Sequence, residues 1–345
     1  MTKRSSAFVL GVNLVLGSLL LIWIVRLAGA PASRHLATAA SFQTLAGFLA
    51  VVAITIVSLT GRWRLLLSGL GASPSLLRLV AYRSAGQTLA ALVPSARIGG
   101  DPLRAWLVTR VGVSPPDAIS SVAVDRVLEI GAAAPFSIVF AVVLIQHGIP
   151  ELRSALLTVI VATAALALAA VSTSRRLRKG KGLVTSFVRR TRLDALQAVA
   201  KQMDVLGKSE TAAAKLVAEH RRLELAFAAG LGTNVLVMLE YGLLLSAFGL
   251  PADVVSIVAS IFASAAAHQL PVPAGVGVLE AGQIWIFGML GHPPEVGLAA
   301  GFAVRLREIV WALPGLVYLA GRWISDARAK SLPTPARPAA TGDRT

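Results

Sequence analysis

The chain of 345 residues contains no cysteine, which excludes disulfide staples, thiolate metal sites and cysteine nucleophiles and leaves the redox compartment unreadable. Charge is also scarce, at 14% Asp, Glu, Lys and Arg, where soluble domains carry roughly a quarter. Within that small share acidic groups are the scarcer, 17 against 33 Lys and Arg, for a net charge of +16. His35, His147, His220, His268 and His292 are scattered without metal-ligand spacing, and no HExxH or GxSxG pattern occurs. No ATP-binding loop occurs either. These absences argue against a hydrolytic enzyme, a metal site, a cofactor or a nucleotide-driven motor.

Apolar residues are abundant, at 55% of the chain with a mean hydropathy of +0.72, the composition of an integral membrane protein. Spans long enough to cross a bilayer lie near 7–29, 38–60, 119–145, 154–173, 224–248 and 296–321. The first could pass for a signal peptide ending at Ala30-Pro31-Ala32, but its apolar stretch exceeds the roughly 7–15 residues of a signal core, so an uncleaved helix is expected. The expected fold is therefore an all-α polytopic membrane protein of six spans plus two interrupted segments, near 81–110 and 251–290. Each interrupted segment is a re-entrant hairpin or a pair of crossings, for six to eight crossings in all.

Basic residues set the orientation. Arg62, Arg64, Arg78, Arg83, Arg97, Arg104 and Arg110 lie between the second and third spans, and a larger cluster runs from Arg175 to Arg222. The positive-inside rule places both regions, and both termini, on the cytoplasmic side of the cell membrane, with the nearly uncharged loops 146–153 and 249–253 outside. Anionic lipid headgroups account for this charge better than nucleic acid does, so membrane lipids are the expected partners. Within the basic loop 174–222, Leu193, Leu196, Ala200, Met203 and Leu206 form an apolar stripe at helical spacing. That stripe suits a helix lying on the inner leaflet or a linker helix that meets lipid incidentally. Residues 1–330 read as one membrane domain and 331–345, rich in proline, as a disordered tail.

The two interruptions carry the functional signal. Pro94-Ser95-Ala96-Arg97-Ile98-Gly99-Gly100-Asp101 and Pro271-Val272-Pro273-Ala274-Gly275-Val276-Gly277-Val278-Leu279-Glu280 each stop and restart a hydrophobic helix. Irregular backbone survives at membrane depth only where protein or a polar cavity satisfies it, and breaks at matching places in two halves point to a transporter's substrate path. The pair also leaves room for an inverted repeat. At the first break Asp101 is expected to cap a helix with Pro102 at its first position, between Arg97 and Arg104, a setting that favours a phosphate.

Ionisable groups inside spans cost about 2.5–3.5 kcal/mol each on insertion scales and so face protein, a partner or water. Asp125, Arg126 and Glu129 are such a set in the third span, and either an interhelical ion-pair network or a place on the substrate path fits them. Arg305, Arg307 and Glu308 form another in the last span, with Arg305 favoured for function and able to pair with Glu308. Glu240 lies alone in its span and reads either as a proton relay or as a carboxyl bonded to a neighbouring helix. His268, at the edge of the second break, is expected to be a helix-end hydrogen bonder.

At these residues the chain resembles the flippase-like transmembrane region of bacterial lysylphosphatidylglycerol synthases and its stand-alone relatives. The resemblance rests on Pro94, Gly99-Gly100-Asp101 and Arg104, on Asp125-Arg126, on Pro271, Pro273, Gly275, Gly277 and Glu280, and on Arg305, in the family's order over nearly the whole chain. Asp125 stands where the family usually has Glu, and Ala274 where it often has Gly. The resemblance implies movement of a phospholipid or other polar-headed lipid, including terpenoid or glycolipid cargo, between leaflets. The synthases carry a soluble aminoacyl-transfer domain after the membrane region; this sequence shows none, so it is expected not to make lysyl-lipid itself.

In that reading Arg97 and Arg104 receive a phosphate, Asp101 and Glu280 hold the breaks or meet a cationic group, Arg305 stabilises the anion midway, and Glu240 carries a proton if an ion gradient drives transport. The alternative is a membrane scaffold or regulatory subunit that engages a lipid-modifying enzyme through its basic loop. A homo-oligomer is compatible with either.

Overall fold

The structure is a computed structural model and describes residues 41–92, 99–147, 153–178, 182, 184–191, 202–270, 272 and 275–331. The first expected span, the first break from 93 to 98 with Arg97, the residues Pro271, Pro273 and Ala274, most of the stripe in the basic loop and the tail beyond Ser331 lie outside the described residues.

Every described element is a helix: α1 (Phe42–Gly69), α2 (Leu76–Leu92), α3 (Asp101–Thr109), α4 (Pro115–Gln146), α5 (Arg153–Arg178), α6 (Val184–Arg190), α7 (Met203–Ala218), α8 (His220–Ala247), α9 (Val254–Ala267), α10 (Val278–Met289) and α11 (Pro294–Ser331). The fold is all-α and polytopic. α1, α4, α5 and α8 are long and apolar enough to cross a bilayer. α11 has 38 residues but carries Arg305, Arg307 and Glu308 in its middle.

Local chemistry sets the helix starts. Ser41 caps α1 through the Thr44 N–H, and Ser114 caps α4 through the Asp117 N–H just ahead of Pro115 and Pro116, whose missing donors suit a first turn. Asp253 caps α9 by accepting from the Val255 and Ser256 N–H groups. At α10 the Glu280 carboxylate accepts the Gly277 N–H at 2.9 Å, half of a capping box that closes the second break.

Two units repeat. The order long helix, helical hairpin, long helix occurs as α1, α2–α3, α4 and again as α8, α9–α10, α11. α1 packs along α8 with Ser41 bonded to Ala247, Ser58 to Thr233, and Gly69 beside Arg222, so these equivalent helices run in opposite directions. The repeat is therefore inverted. The packing is reciprocal: α2 lies on α11, and its counterpart α9 lies on α4.

The hairpin helices are short. At 1.5 Å per residue, α9 and α10 reach about 21 and 18 Å, and α2 and α3 about 26 and 14 Å, all below the ~30 Å hydrocarbon core. Each interrupted segment is thus a pair of helices shorter than the long apolar helices α1, α4, α5 and α8. In the first hairpin the backbones of Gly86 and Gly100 touch, and any Cβ on Gly100 would overlap the Gly86 carbonyl. Only glycine permits that crossing.

Cores follow the repeat. Phe48, Leu244, Leu245, Ile286, Phe287 and Leu298 centre one cluster, and Trp63, Leu67, Leu79, Leu107 and Val108 another beneath the first hairpin. One expectation changes here. α1 continues to Gly69 rather than ending near 60, because Trp63 and Leu65-Leu66-Leu67 resume the apolar run past Arg62 and Arg64. The end of the basic loop is tied to the core: Leu216 of α7 packs against Leu66, Val124, Leu128 and Ala226, and Ser120 Oγ donates to the Ser209 carbonyl at 2.6 Å.

Candidate functional site

Each repeat unit gathers charge from all four of its elements. In the first, Asp125 on α4 is fully buried and accepts three guanidinium bonds of 2.8 Å each, from Arg62 Nε on α1, Arg83 Nη1 on α2 and Arg104 Nη2 on α3. Glu129, one turn further, accepts from Arg62, Arg83 and Arg126. Asp101, at the head of α3, bridges Arg104 at 3.2 Å and Arg126 at 2.9 Å. Four guanidinium groups thus face three carboxylates, and Arg104 also lies 4.5 Å above the Trp63 ring. Charge-assisted bonds of this length offset the desolvation that burial imposes.

The second unit repeats the plan with carboxylates outnumbering guanidinium groups. Arg305 on α11 donates to Glu280 on α10 at 2.8 Å and to Glu308 at 2.7 Å, and its Nη2 reaches the Gly275 carbonyl of the break at 3.4 Å. His268, the residue that caps the end of α9, donates its Nδ1–H to the Ser264 carbonyl and meets Glu308 through Nε2 at 2.6 Å. Beside them Glu240 on α8 holds Arg307 at 2.7 Å and the Trp311 N–H at 3.0 Å, with Arg307 over the Tyr241 ring. Here three carboxylates face two guanidinium groups and one imidazole.

The clusters are not sealed. The side chains of Arg126 and Glu129 are 28% and 38% exposed, and those of Arg305 and Glu308 are 22% and 18% exposed. Asp125, Glu240 and Glu280 are closed off entirely. Each cluster is therefore a buried anchor with an open edge. The α2–α11 seam joins them: Thr88 Oγ donates to the Ala312 carbonyl at 3.1 Å and the Tyr82 and Tyr318 rings stack edge-on. Glu308 lies one turn, about 6 Å, from Ala312.

Several expectations are corrected by this geometry. Asp101 does not cap α3: Gly100 takes that position without a side-chain bond, and the Asp101 carboxylate turns instead to two arginines, a stronger attraction than one backbone N–H. Arg62, Arg83 and Arg104 are not loop charges; each is a buried helical residue. Arg104 is spent on Asp101 and Asp125, so the open guanidinium of the first cluster is that of Arg126. Glu240 is not alone, although its Oε1 has no hydrogen-bond partner among the described residues.

Gly99, Gly100, Gly275 and Gly277 stand at the hairpin turns as expected, the last two at positive φ. Arg62 and Arg83 were missed as site residues. The available signal was that apolar helix continues on both sides of each, which marks a charge as inside a span rather than at its end. Among the described residues no group of His, Asp and Glu could hold a metal ion.

These features define a multi-pass α-helical membrane protein built on an inverted repeat, with a charged cluster at each broken hairpin. The family described as the lysylphosphatidylglycerol synthase TM region matches residues 9–315, and the chain belongs to that family. No curated protein matches the chain significantly. Membership ties it to a membrane domain of lipid biosynthesis or translocation.

Proposed function

We propose that the protein is a lipid translocator of the cytoplasmic membrane rather than an enzyme, moving a phospholipid or other polar-headed lipid between leaflets. The observation that carries this reading is the pair of oppositely directed hairpins, each with a charged cluster whose edge is open. Such an arrangement lowers the cost of carrying a headgroup through a hydrocarbon core, where every polar group needs a partner.

Arg126 and Glu129 meet the headgroup on one side of the path, and Arg305, Glu308 and His268 on the other. Asp125, Arg62, Arg83 and Arg104 hold the first hairpin against α4 and α1. Glu280 holds the second by binding both the Gly277 N–H and Arg305. An ion gradient, if one drives the step, has its candidate proton site at Glu240 Oε1, which has no hydrogen-bond partner among the described residues.

Leaflet exchange of headgroup-tagged lipids in liposomes tests the reading with wild type, Arg305→Ala and Asp101→Ala. Rapid exchange that both variants lose, with helical content kept, supports it. No exchange of any lipid class by folded wild-type protein refutes it.

The second reading is a scaffold or regulatory subunit for a lipid-modifying enzyme. It is favoured by α7, which ties the basic segment to the core of α1, α4 and α8. Charge reversals in 174–222 would then remove function while the hairpins tolerate substitution.

A further inference from the structure

Between α4 and α5 runs an apolar groove lined by Ile130, Ala133 and Ser137 on one side and Thr163, Leu166 and Ala167 on the other. Its floor is made of small side chains, and Pro135 stands beside it, removing the N–H that would bond the Gly131 carbonyl and loosening the helix there. Both rims face the bilayer, Ile130 being 47% and Leu166 56% exposed. Only 6% of the apolar window of α5 is buried, so nothing else in the described fold covers that side.

The groove begins where the first cluster opens. Arg126, Ile130, Ala133 and Ser137 follow at four-, three- and four-residue spacing, one stripe of α4 about 16 Å long. Glu129 stands a turn above Ala133 on the adjoining row. The most exposed cation and the most exposed carboxylate of the first cluster thus form the polar mouth of an apolar slot. A membrane lipid has that shape and polarity, a charged head carrying hydrocarbon.

We propose that this groove binds one acyl chain of a phospholipid whose headgroup lies on Arg126 and Glu129. The inference rests on the translocation reading and deepens it: the cargo keeps a chain against the protein during transfer instead of leaving both chains in bulk lipid. The bend permitted at Pro135 lets the slot follow a flexible chain.

The experiment uses the full chain in phosphatidylcholine vesicles holding a trace of phosphatidylethanolamine with a diazirine midway along one acyl chain. After irradiation, adducts are mapped by mass spectrometry. The expected result is adducts concentrated in 130–137 and 163–170, several-fold above the lipid-facing residues Ile54 and Val57 of α1 and Leu313 and Val317 of α11. Ala167→Phe, which fills the slot, should cut that labelling and leaflet exchange roughly tenfold. Leu168→Phe, on the outer face of the same helix, should change neither.

Labelling spread evenly over α1, α5 and α11 means ordinary boundary lipid and overturns the groove, even if wild type exchanges lipid. Concentrated labelling without any exchange keeps the groove and refutes translocation. The primary readout is on wild-type protein, so misfolding of a variant does not decide it.

Discussion

Asp125→Asn is the perturbation with the largest expected consequence. The wild-type carboxylate is inaccessible to solvent and neutralises three guanidinium groups, each at 2.8 Å, whose own side chains are at most 7% exposed. The amide keeps the volume and one acceptor but loses the charge, so four guanidinium groups then face only Asp101 and Glu129. Breaking a buried pair by removing one partner costs about 3–5 kcal/mol, because the other charge is left uncompensated in a poor solvent. Arg62 and Arg83 keep Glu129 and Arg104 keeps Asp101, so the loss is expected within that range and not above it, still a large part of a total stability of about 5–15 kcal/mol.

Unfolding in mixed micelles, followed by circular dichroism, measures the loss. Removing a surplus cation should recover part of it, so Asp125→Asn with Arg83→Gln is expected to be more stable than Asp125→Asn alone. A loss below about 1 kcal/mol, the worth of an exposed pair, would refute the claim that Asp125 ties α1, α2 and α3 to α4. So would simple additivity in the double variant, since groups in one network must couple.

Three further outcomes follow from the same geometry. Arg305→Ala should abolish leaflet exchange while protein remains folded, and Arg305→Lys should rescue it only partly, because an ammonium cannot serve Glu280 and Glu308 as a fork does; exchange assays in liposomes check both, and full activity of the alanine variant removes Arg305 from the mechanism. A side chain on Gly315 would run into the Ser84 carbonyl and the Thr88 hydroxyl, so Gly315→Leu should part α2 from α11 and lower stability by more than about 3 kcal/mol, read by thermal unfolding in detergent. Asp253→Ala should cost about 1 kcal/mol through loss of the α9 cap. Partial burial pushes the Asp253 carboxyl up, but bonds from the Ser256 hydroxyl and the Ser256 and Val255 N–H groups outweigh it and hold the group below the usual carboxylate range. The cap therefore contributes fully above the unfolded carboxylate pKa and is lost as pH falls through the lower folded value, a dependence that Asp253→Ala should flatten.

Much of the architecture was legible because a bilayer constrains sequence directly. Runs near 119–145, 154–173 and 224–248 returned as α4, α5 and α8 with shifts of a few residues, since each must satisfy its backbone internally over one membrane thickness. The two hairpins were legible for the same reason: proline and glycine inside apolar sequence mark backbone that something else must satisfy. Asp125, Arg126 and Arg305 were readable because an ion at membrane depth needs a partner, whereas Asp101 and Glu280 were read only from the breaks they adjoin.

The sequence by itself determined that this is an all-helical membrane protein, where its helices break and which buried ions must pair, because hydrocarbon penalises every unmet polar group locally. Tertiary structure alone decided which ions pair with which. Nothing within any segment announces that Arg62 and Arg83 share Asp125, residues 63 and 42 positions away, or that Glu240 meets Arg307 across 67. Asp101 left its expected cap because two guanidinium groups, Arg104 of its own helix and Arg126 of α4, outbid one backbone donor. The inverted repeat has the same origin, since it is the antiparallel packing of α1 on α8, a long-range contact, that turns two similar strings of helices into opposed halves of one fold.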